Sequence, residues 1–251
     1  MELSAKDIIV KVIPSKIANE FVKKHHYSGK VVQNSSLHFG CFLNNVLHGV
    51  MSFGPSLDKS KVIGLVKNTN WNEFIELNRM AFDDYLPKNS ESRCISIAMK
   101  LLRKNAPQIK WVISFADGMQ CGDGTIYRAS GFKLTGFSSG SMWKLPEELA
   151  KLNKGEIAHR MKIQDKCSAI SRYVLGKTNG KNLTMNNYVK KFGGELLNGY
   201  MLRYIYFIDK SKEKDLTVPV IPFSKIDELG AGMYKGEKIT QKERHKDLTN
   251  N

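Results

Sequence analysis

Several common sequence features are missing from this chain of 251 residues, and each absence excludes a class of protein. No apolar run approaches the roughly 18 residues that are needed to span a bilayer. The N-terminal stretch MELSAKDIIVKVI has early acidic residues and lacks the apolar segment of a signal peptide. We therefore expect a protein with no membrane partner that acts in the cytoplasm.

The chain is also poor in cysteine and in motifs that bind nucleotides or metals. Its cysteines are widely spaced and form no C-x-x-C pair, which argues for reduced thiols and against a zinc site or a disulfide framework. G-x-G-x-x-G and Asn/Asp-Pro-Pro-aromatic motifs are absent, which argues against an adenine methyltransferase that uses S-adenosylmethionine. The chain also lacks a P-loop and a zinc deaminase signature.

What the chain has in excess is positive charge. It contains 39 Lys and Arg against 24 Asp and Glu, a net charge of +15. Residues 144–214 carry the densest excess, with 15 basic and 7 acidic residues. A polyanion is the natural partner, because phosphate contacts dominate nucleic-acid affinity. Charge that only keeps a lysine-rich protein soluble would give the same composition.

The hydrophobic pattern predicts alternating strands and helices. Strands are expected at 7–13, 37–43, 46–53, 73–81, 111–116, 132–145 and 199–208, and helices at 15–25, 90–105 and 125–130. This order favours an α/β fold with a mixed β-sheet flanked by helices. The expected organisation is a catalytic core (1–145), a basic helical insertion (146–198), a returning core strand (199–210) and a polar C-terminal tail (211–251) with a mobile end (236–251).

The segment Lys110–Phe132 has the clearest functional pattern. Its apolar run predicts a buried strand that ends on Asp117, and a glycine-rich turn then leads to a short helix with Tyr127. Open α/β sheets bind ligands at the carboxyl ends of their strands. A carboxylate there can take a proton, and a phenol can donate one to a leaving group. From composition alone, a turn-capping aspartate and a core tyrosine are the simpler interpretations.

These residues resemble known families. The Tyr-x-x-x-Gly-Phe ending at Phe132 resembles the last helix of the GNAT fold of N-acetyltransferases, in which this tyrosine often acts as a general acid. Asp117, ten positions before Tyr127, resembles more specifically the Mom family of phage DNA-modification proteins. Further matching blocks follow in the same order over roughly residues 5–210: His26-Tyr27-Ser28-Gly29, Phe53-Gly54-Pro55, Glu76-Leu77-Asn78-Arg79-Met80-Ala81 and Pro87-Lys88-Asn89-Ser90-Glu91-Ser92-Arg93.

The resemblance implies a GNAT-like sheet and catalytic roles for Asp117, Tyr127, His26 and Tyr27. It implies an enzyme that converts adenine in double-stranded DNA to N6-carbamoylmethyl (acetamido) adenine, which protects the DNA from restriction in the cytoplasm of a bacterial host. His26 could serve as a base, a base-edge contact or a metal ligand. A metal, iron included, has no support from ligand spacing.

Donor binding is expected from Arg79, Ser90, Ser92 and Arg93. The last three lie where a helix begins and its free N–H groups attract anions, and Arg79 could hold a phosphate or carboxylate bidentately. GNAT enzymes carry a glycine-bearing pyrophosphate loop at this helix start, but residues 65–117 contain no glycine. This difference argues against ordinary coenzyme A binding, and glycine contains the atoms of the carbamoylmethyl group that an acetyl group lacks. We therefore expect an activated glycine donor, with glycyl-tRNA suspected, and keep acetyl-CoA as the alternative. Ser90 also fits a plain helix cap, and Arg79 an ordinary ion pair.

The insertion is expected to bind DNA through basic side chains interleaved with aromatic ones. The expected contacts are Arg160, Lys162, Lys166, Arg172, Lys190 and Lys191. A solvated helical hairpin is the alternative. Two other functions stay open: an acetyl-CoA-dependent GNAT acetyltransferase for a small amine or protein, and a DNA-binding module without catalysis. The oligomeric state is left open.

Overall fold

The computed structural model describes residues 4–120, 122–165, 167–178, 191–230, 233–234 and 237–238. Its labelled helices are α1 (Ser15–His25), α2 (Lys59–Ile63), α3 (Ser90–Asn105), α4 (Thr125–Ala129), α5 (Glu147–Asn153), α6 (Arg160–Gln164) and α7 (Ala169–Lys177). Short 3-10 helices span Ala5–Asp7 and Lys210–Asp215, and a further α-helix spans Ser224–Glu228.

The strands form sheets of very different size. They are β1 (Ile9–Val12), β2 (Leu37–Leu43), β3 (Val46–Gly54), β4 (Phe74–Phe82), β5 (Trp111–Asp117), β6 (Lys133–Ser139), β7 (Met142–Lys144), β8 (Ile157–His159), β9 (Glu195–Leu196), β10 (Tyr200–Phe207), β11 (Met233–Tyr234) and β12 (Glu237–Lys238). The large sheet has seven strands in the order β1-β2-β3-β4-β5-β10-β6. Strands β1 to β4 pair antiparallel, and β4 pairs parallel with β5. The predicted mixed sheet flanked by helices is therefore confirmed.

The chain forms two compact units. The first consists of residues 1–116, 123–137 and 202–225, and the second of residues 117–122, 138–201 and 226–251. Most of the large sheet lies in the first unit. The predicted segment Lys110–Phe132 is divided, so that Asp117 belongs to the second unit and Tyr127 to the first.

Local sequence explains the N-terminal part of the large sheet. Pro14 precedes α1, where its missing N–H is harmless, and Ala18 and Val22 of the helix are buried against Val50 of β3. Strands β2 and β3 are joined by Asn44 and Asn45, which have positive φ angles of 51° and 64°. Asparagine tolerates this conformation, which matches the twist of a two-residue hairpin.

Helix α3 and the central strands supply much of the core. The buried face of α3 includes Ile95, Met99 and Leu102, at the spacing that the sequence predicts. On β4 and β5, the rings of Phe74 and Trp111 stack with centroids 4.5 Å apart. These contacts anchor the parallel pair β4–β5, whose carboxyl ends are the expected ligand edge.

The second unit contains a sheet that the sequence did not predict. Strands β8, β7 and β9 form a three-stranded sheet, packed with α5, α6 and α7 around a core that includes Trp143, Leu149, Ile163 and Val174. The prediction of one strand over Phe132–Leu145 was wrong, because β6 belongs to the large sheet and β7 to this one. The extended conformation is interrupted at Gly140, where a Cβ atom would come within 2.0 Å of the sulfur of Met119.

Other differences are smaller. Helix α2 was not predicted, because five residues carry too short a pattern. The predicted mobile end, 236–251, lies outside the described residues except for β12. Within the part of the chain that the structure describes, no helix is both long enough and apolar enough to cross a membrane.

Candidate active site

Asp117 ends β5 and is held in a tight turn of the second unit. Its side chain accepts hydrogen bonds from the Met119 amide at Oδ1 and from Gln120 Nε2 at Oδ2, both at 3.1 Å. The Gln120 amide donates to the Asp117 carbonyl oxygen at 3.1 Å, and the Gly118 amide donates to the Tyr200 carbonyl oxygen at 2.9 Å. These bonds fix a buried carboxylate at the end of β5.

Tyr127 lies in the first unit, in the five-residue helix α4. Its ring centroid is 5.4 Å from that of Phe132 and 5.3 Å from that of Tyr204, and its side chain is largely buried. Gly131 has φ of 81° and lets the chain turn back, so that the Phe132 amide bonds to the Tyr127 carbonyl. The Tyr-x-x-x-Gly-Phe motif and Tyr204 together therefore fix the phenol between two aromatic rings.

The turn before α4 is built on a buried ion pair. Asp123 is 1% exposed and accepts bonds from Arg128 Nη2 and the Thr125 hydroxyl, both at 2.9 Å. The Tyr204 hydroxyl donates to the Asp123 carbonyl oxygen. Gly124 has φ of 81°, and a Cβ atom there would lie 2.5 Å from the Tyr204 ring. Asp123 therefore positions α4, a role that its sequence neighbours alone do not reveal.

His26 follows α1 and is neutral at physiological pH. Burial, and second the charge of Arg79, lower the pKa of His26 to about 4. The Ser28 amide donates to Nδ1 at 3.1 Å, so the ring proton resides on Nε2. His26 therefore offers an N–H donor rather than a base. The neighbouring Tyr27 is half exposed, with its ring centroid 4.2 Å from that of His26.

Arg79 is held by backbone carbonyls. Its Nε donates to the Lys30 carbonyl oxygen at 3.1 Å and its Nη1 to that of Asn78 at 2.9 Å. It takes part in none of the salt bridges formed among the described residues. These bonds link β4 to the loop after α1, and they leave Nη2 for a ligand.

Glu76 lies on β4 at the last pair of the parallel β4–β5 ladder, opposite Ile113. One residue further along each strand, the buried Ser114 hydroxyl donates to the Leu77 carbonyl oxygen at 3.1 Å. Burial raises the pKa of Glu76, although hydrogen bonds with Ser56 and Asn78 and the charge of Arg79 act in the opposite direction. From sequence, Glu76 stands out only as the first residue of the matching block Glu76–Ala81. A carboxylate between the apolar residues Ile75 and Leu77 of a strand is the signal that could have singled it out.

The expected donor residues at the start of α3 differ from one another. Ser90 is fully buried and its hydroxyl donates to the Pro87 carbonyl oxygen at 2.5 Å, so its contact is internal. The helix cap is Asn89, with φ of 67°, and not Ser90. Ser92 and Arg93 reach a groove along the helix.

The expected DNA-binding residues lie in the second unit. Arg160, Arg172 and Lys191 are exposed. Lys162 is partly buried and donates to the Asn153 carbonyl oxygen at 3.2 Å. Lys166 and Lys190 lie outside the described residues. Across the ranges that the structure describes, no group of three or more His, Cys, Asp or Glu could hold a metal ion.

Two solved structures with low similarity to this chain are acetyltransferases. An acetyltransferase of Bacillus subtilis in complex with CoA is 8% identical, with a TM-score of 0.41 over 80% of this chain and 98% of that one. The spermidine/spermine N-acetyltransferase SpeG of Vibrio cholerae is also 8% identical, with a TM-score of 0.43 over 84% and 98%. At these scores the likeness supports no conclusion on function.

Sequence comparison is far more specific. The methylcarbamoylase Mom of Escherichia phage Mu is 35% identical over 216 residues, which cover 84% of this chain and 80% of that protein. The profile of the Mom protein family matches residues 7–225. This match includes Asp117, Tyr127 and His26. The chain therefore belongs to the Mom protein family.

Proposed function

We propose that this protein is a transferase that converts adenine in double-stranded DNA to N6-carbamoylmethyl adenine and so protects the DNA from restriction. One observation carries the proposal: in a chain 35% identical to a methylcarbamoylase, a buried, hydrogen-bonded carboxylate lies ten positions before a phenol that is fixed between aromatic rings. These are the groups that a proton-coupled transfer to an amine requires.

An activated glycine accounts for the atoms of the product. The adenine N6 attacks the carbonyl carbon of a glycyl ester, the ester bond breaks, and the N6 proton moves to the departing ribose oxygen. The glycyl amine then attacks C6 through a five-membered ring, and the bond between C6 and the original N6 breaks. The original N6 becomes the terminal amide. The second step is an isomerisation, so neither step needs an oxidant or a reductant.

Each candidate side chain has a role in this scheme that fits its environment. The fixed Asp117 carboxylate orients the adenine amine and accepts its proton. The Tyr127 phenol protonates the departing oxygen. The packing of its ring on Phe132 and Tyr204 fixes the phenol for this transfer. His26 donates from Nε2 to an acyl oxygen, because its low pKa keeps it neutral. Arg79 supplies a charged donor to the same oxygen or to a phosphate.

The basic second unit fits a nucleic-acid substrate. Arg160, Arg172 and Lys191 are exposed and can contact phosphates. Adenine N6 is stacked and paired in a duplex, so the base has to be flipped before it can react. We infer that this surface holds the duplex while the base is displaced.

The donor helix favours a glycyl ester over acetyl-CoA. The pyrophosphate loop of GNAT enzymes carries glycines at this helix start, whereas residues 65–117 contain no glycine. Ser90, at the start of α3, turns its hydroxyl inward. Acetyl-CoA would also need a separate source of the amide nitrogen. Glycyl-tRNA supplies both the atoms of the glycyl group and the leaving group.

The test is mass spectrometry of nucleosides from plasmid DNA of cells that express the protein. A deoxyadenosine with a carbamoylmethyl increment is expected with the unaltered protein and absent with Asp117→Asn or Tyr127→Phe, both of which should still bind DNA. Tyr206→Phe is the matched control, because Tyr206 packs on the same Phe132 ring at 5.2 Å. Unmodified DNA from soluble protein would refute the proposal and favour a small-molecule acetyltransferase or a binding module.

Labelled glycine tests the donor. Purified protein, DNA and glycyl-tRNA made with ¹⁵N-glycine should place the label on the nitrogen bonded to C6, so that it survives loss of the terminal amide in fragmentation. Label in the terminal amide would refute the rearrangement. Modification with acetyl-CoA and no tRNA would refute the glycyl donor.

A further inference from the structure

Phe115 is the exception to the burial of β5. Every other residue from Trp111 to Asp117 is buried, whereas Phe115 is 37% exposed. β5 is an interior strand of the large sheet, hydrogen-bonded to β4 on one side and to β10 on the other. A phenylalanine in such a strand is normally part of the core. The face of the sheet that carries Phe115 is therefore open to solvent at this position.

The alternation of side chains shows that Arg203 shares this face. Ile113 of β5 and Ile205 of β10 belong to one buried cluster. Backbone hydrogen bonds at both ends of this strand pair show that β5 and β10 run in opposite directions. Side chains two residues apart lie on the same face of a strand. The step from Ile113 to Phe115 and the step from Ile205 to Arg203 therefore lead in one direction, from the buried cluster to the open part of the face.

The guanidinium of Arg203 is fixed against β6. Its Nε donates to the Thr135 hydroxyl at 3.1 Å and its Nη2 to the Thr135 carbonyl oxygen at 2.6 Å. A Cβ atom at Gly136 would lie 2.8 Å from Nη2, so only glycine leaves room for the guanidinium there. Arg203 forms no salt bridge among the residues that the structure describes. Two of its five N–H groups are used by Thr135, which leaves donors for an anion.

The charge of Arg203 has no counterion in the described part of the chain. Burial lowers the pKa of Arg203, and no carboxylate there opposes the shift. Glu76, on the other side of β5, is influenced by the charge of Arg79 instead. Arginine nevertheless stays protonated in proteins, and charges that are withdrawn from water are normally paired. An anion from outside the chain would therefore stabilise this guanidinium.

The separation of the two groups suits a nucleotide. The Phe115 ring belongs to β5 and the Arg203 guanidinium lies over β6, with β10 between them. Two strand spacings amount to about 10 Å. A base and a flanking phosphate, joined through the sugar, bridge this kind of distance. Aromatic rings stack on bases, and guanidinium groups bind phosphates.

We propose that Phe115 and Arg203 bind the target deoxyadenosine of DNA, with the base stacked on Phe115 and a flanking phosphate on Arg203. A flipped base loses the stacking of the duplex, and an exposed ring replaces it. The occupant is the target and not the donor, because Phe115 precedes Asp117 by two residues in β5, and the proposed function assigns the adenine amine to Asp117. The inference therefore rests on the proposed function.

Short single strands test the base contact without turnover. One strand consists of abasic deoxyribose units, and the other carries a single adenine at its centre, with the same label and the same number of phosphates. Fluorescence anisotropy should show that the unaltered protein binds the adenine strand about tenfold more tightly, as expected for one stacked base. Phe115→Ala should bind both strands equally.

Phe223→Ala is the matched control for the ring. Phe223 is 39% exposed, close to the value for Phe115, but it lies outside the sheet, before the helix Ser224–Glu228. This variant should keep the tenfold preference for adenine. The two strands are compared within each variant, so a partial loss of folded protein weakens both alike and leaves their ratio unchanged.

The phosphate contact has a different readout. Arg203→Gln should weaken the binding of both strands and lower the slope of log affinity against log salt by about 0.7, the value for one phosphate of a single strand. Arg103→Gln is the control, because Arg103 also bonds to a carbonyl oxygen, that of Ile208, and the change in charge is the same. It should leave the slope unaltered.

Three results would overturn the proposal. The first is equal binding of the two strands by the unaltered protein, or loss of the adenine preference in Phe223→Ala as well as in Phe115→Ala. The second is an equal fall of the salt slope in Arg203→Gln and Arg103→Gln. The third is a preference that depends on Phe115 only when adenine is the 3′-terminal nucleotide of an RNA strand, which would assign this face to the donor.

The outcome is independent of whether adenine is modified, since no donor is present. A protein that shows the preference dependent on Phe115 but never alters DNA would refute the proposed function and keep the nucleotide site. A protein that modifies DNA equally well with and without Phe115 and binds both strands alike would keep the function and refute the site.

Discussion

The guanidinium of Arg79 lowers the pKa of His26 and adds to the larger effect of burial, which together bring it to about 4. The same guanidinium donates to the Lys30 carbonyl oxygen at 3.1 Å, so its position relative to the loop after α1 is fixed. The imidazole is thereby kept neutral at pH 7, with its N–H on Nε2 because Nδ1 accepts from the Ser28 amide.

We expect Arg79→Met to raise the pKa of His26 but to leave it below the usual 6.5, since burial is the first cause of the shift. Histidine signals in an NMR pH titration measure this. Arg103→Met is the control, because Arg103 instead bonds to the Ile208 carbonyl oxygen. A His26 pKa near 6.5 in the unaltered protein would contradict the assignment.

The same pKa makes stability depend on pH. The unfolded chain takes up a proton on His26 near pH 6.5, whereas the folded chain does so only near pH 4. The contribution is therefore complete above pH 6.5 and is lost as the pH falls toward 4, by at most about 3 kcal/mol. Urea unfolding of the protein and of His26→Asn across this range should show a steeper acid loss in the protein with His26.

Two glycine substitutions should have opposite effects. Gly124→Ala places a Cβ atom 2.5 Å from the Tyr204 ring at φ of 81°, and should cost about 2–4 kcal/mol. Gly176→Ala, in α7, meets no atom within 4 Å and should stabilise by up to about 1 kcal/mol. Thermal unfolding measures both. Equal changes would show that the Tyr204 contact does not constrain the turn.

The Asp123–Arg128 pair should behave as a coupled unit. Asp123→Ala leaves the mostly buried Arg128 without its carboxylate and should cost about 3–5 kcal/mol. Arg128→Met combined with Asp123→Ala should cost less than the sum of the single changes, because the double variant contains no unpaired charge. A double-mutant cycle in urea measures the difference. Strict additivity would mean that the pair contributes nothing as a pair.

The cysteines should differ sharply in reactivity. A hydrogen bond to Cys94, and burial, raise the pKa of the Cys41 thiol, whereas Cys167 is exposed. In a Cys121→Ser background, Cys167 should react with a thiol reagent on the order of a hundredfold faster than Cys41 or Cys94 in the folded protein. Unfolding in urea should equalise the three rates. Fast labelling of Cys41 in the native state would contradict its burial.

Long local patterns made the large sheet predictable. The bounds of α1, β2 and α3 agree with the sequence prediction, since apolar spacing and turn residues specify each of them. The small sheet was missed because β7, β8 and β9 have only two or three residues, which is too short for an alternating pattern.

The sequence proposed candidate site residues but not their environments. Sequence pointed to Asp117, Tyr127 and His26, through motif spacing. It did not show that the pKa of His26 is lowered, because that depends on burial and on Arg79, which is distant in sequence. For the same reason the positioning role of Asp123 was missed, since Arg128 and Tyr204 meet it only in the folded chain.

The position of β10 has a consequence for synthesis on the ribosome. This strand lies between β5 and β6 in the sheet, although it follows both in sequence. Its Tyr204 supports Gly124, Asp123 and the Tyr127 ring. A nascent chain that ends before β10 therefore lacks the Tyr204 contacts, and we expect α4 to become fully ordered only after β10 has been translated.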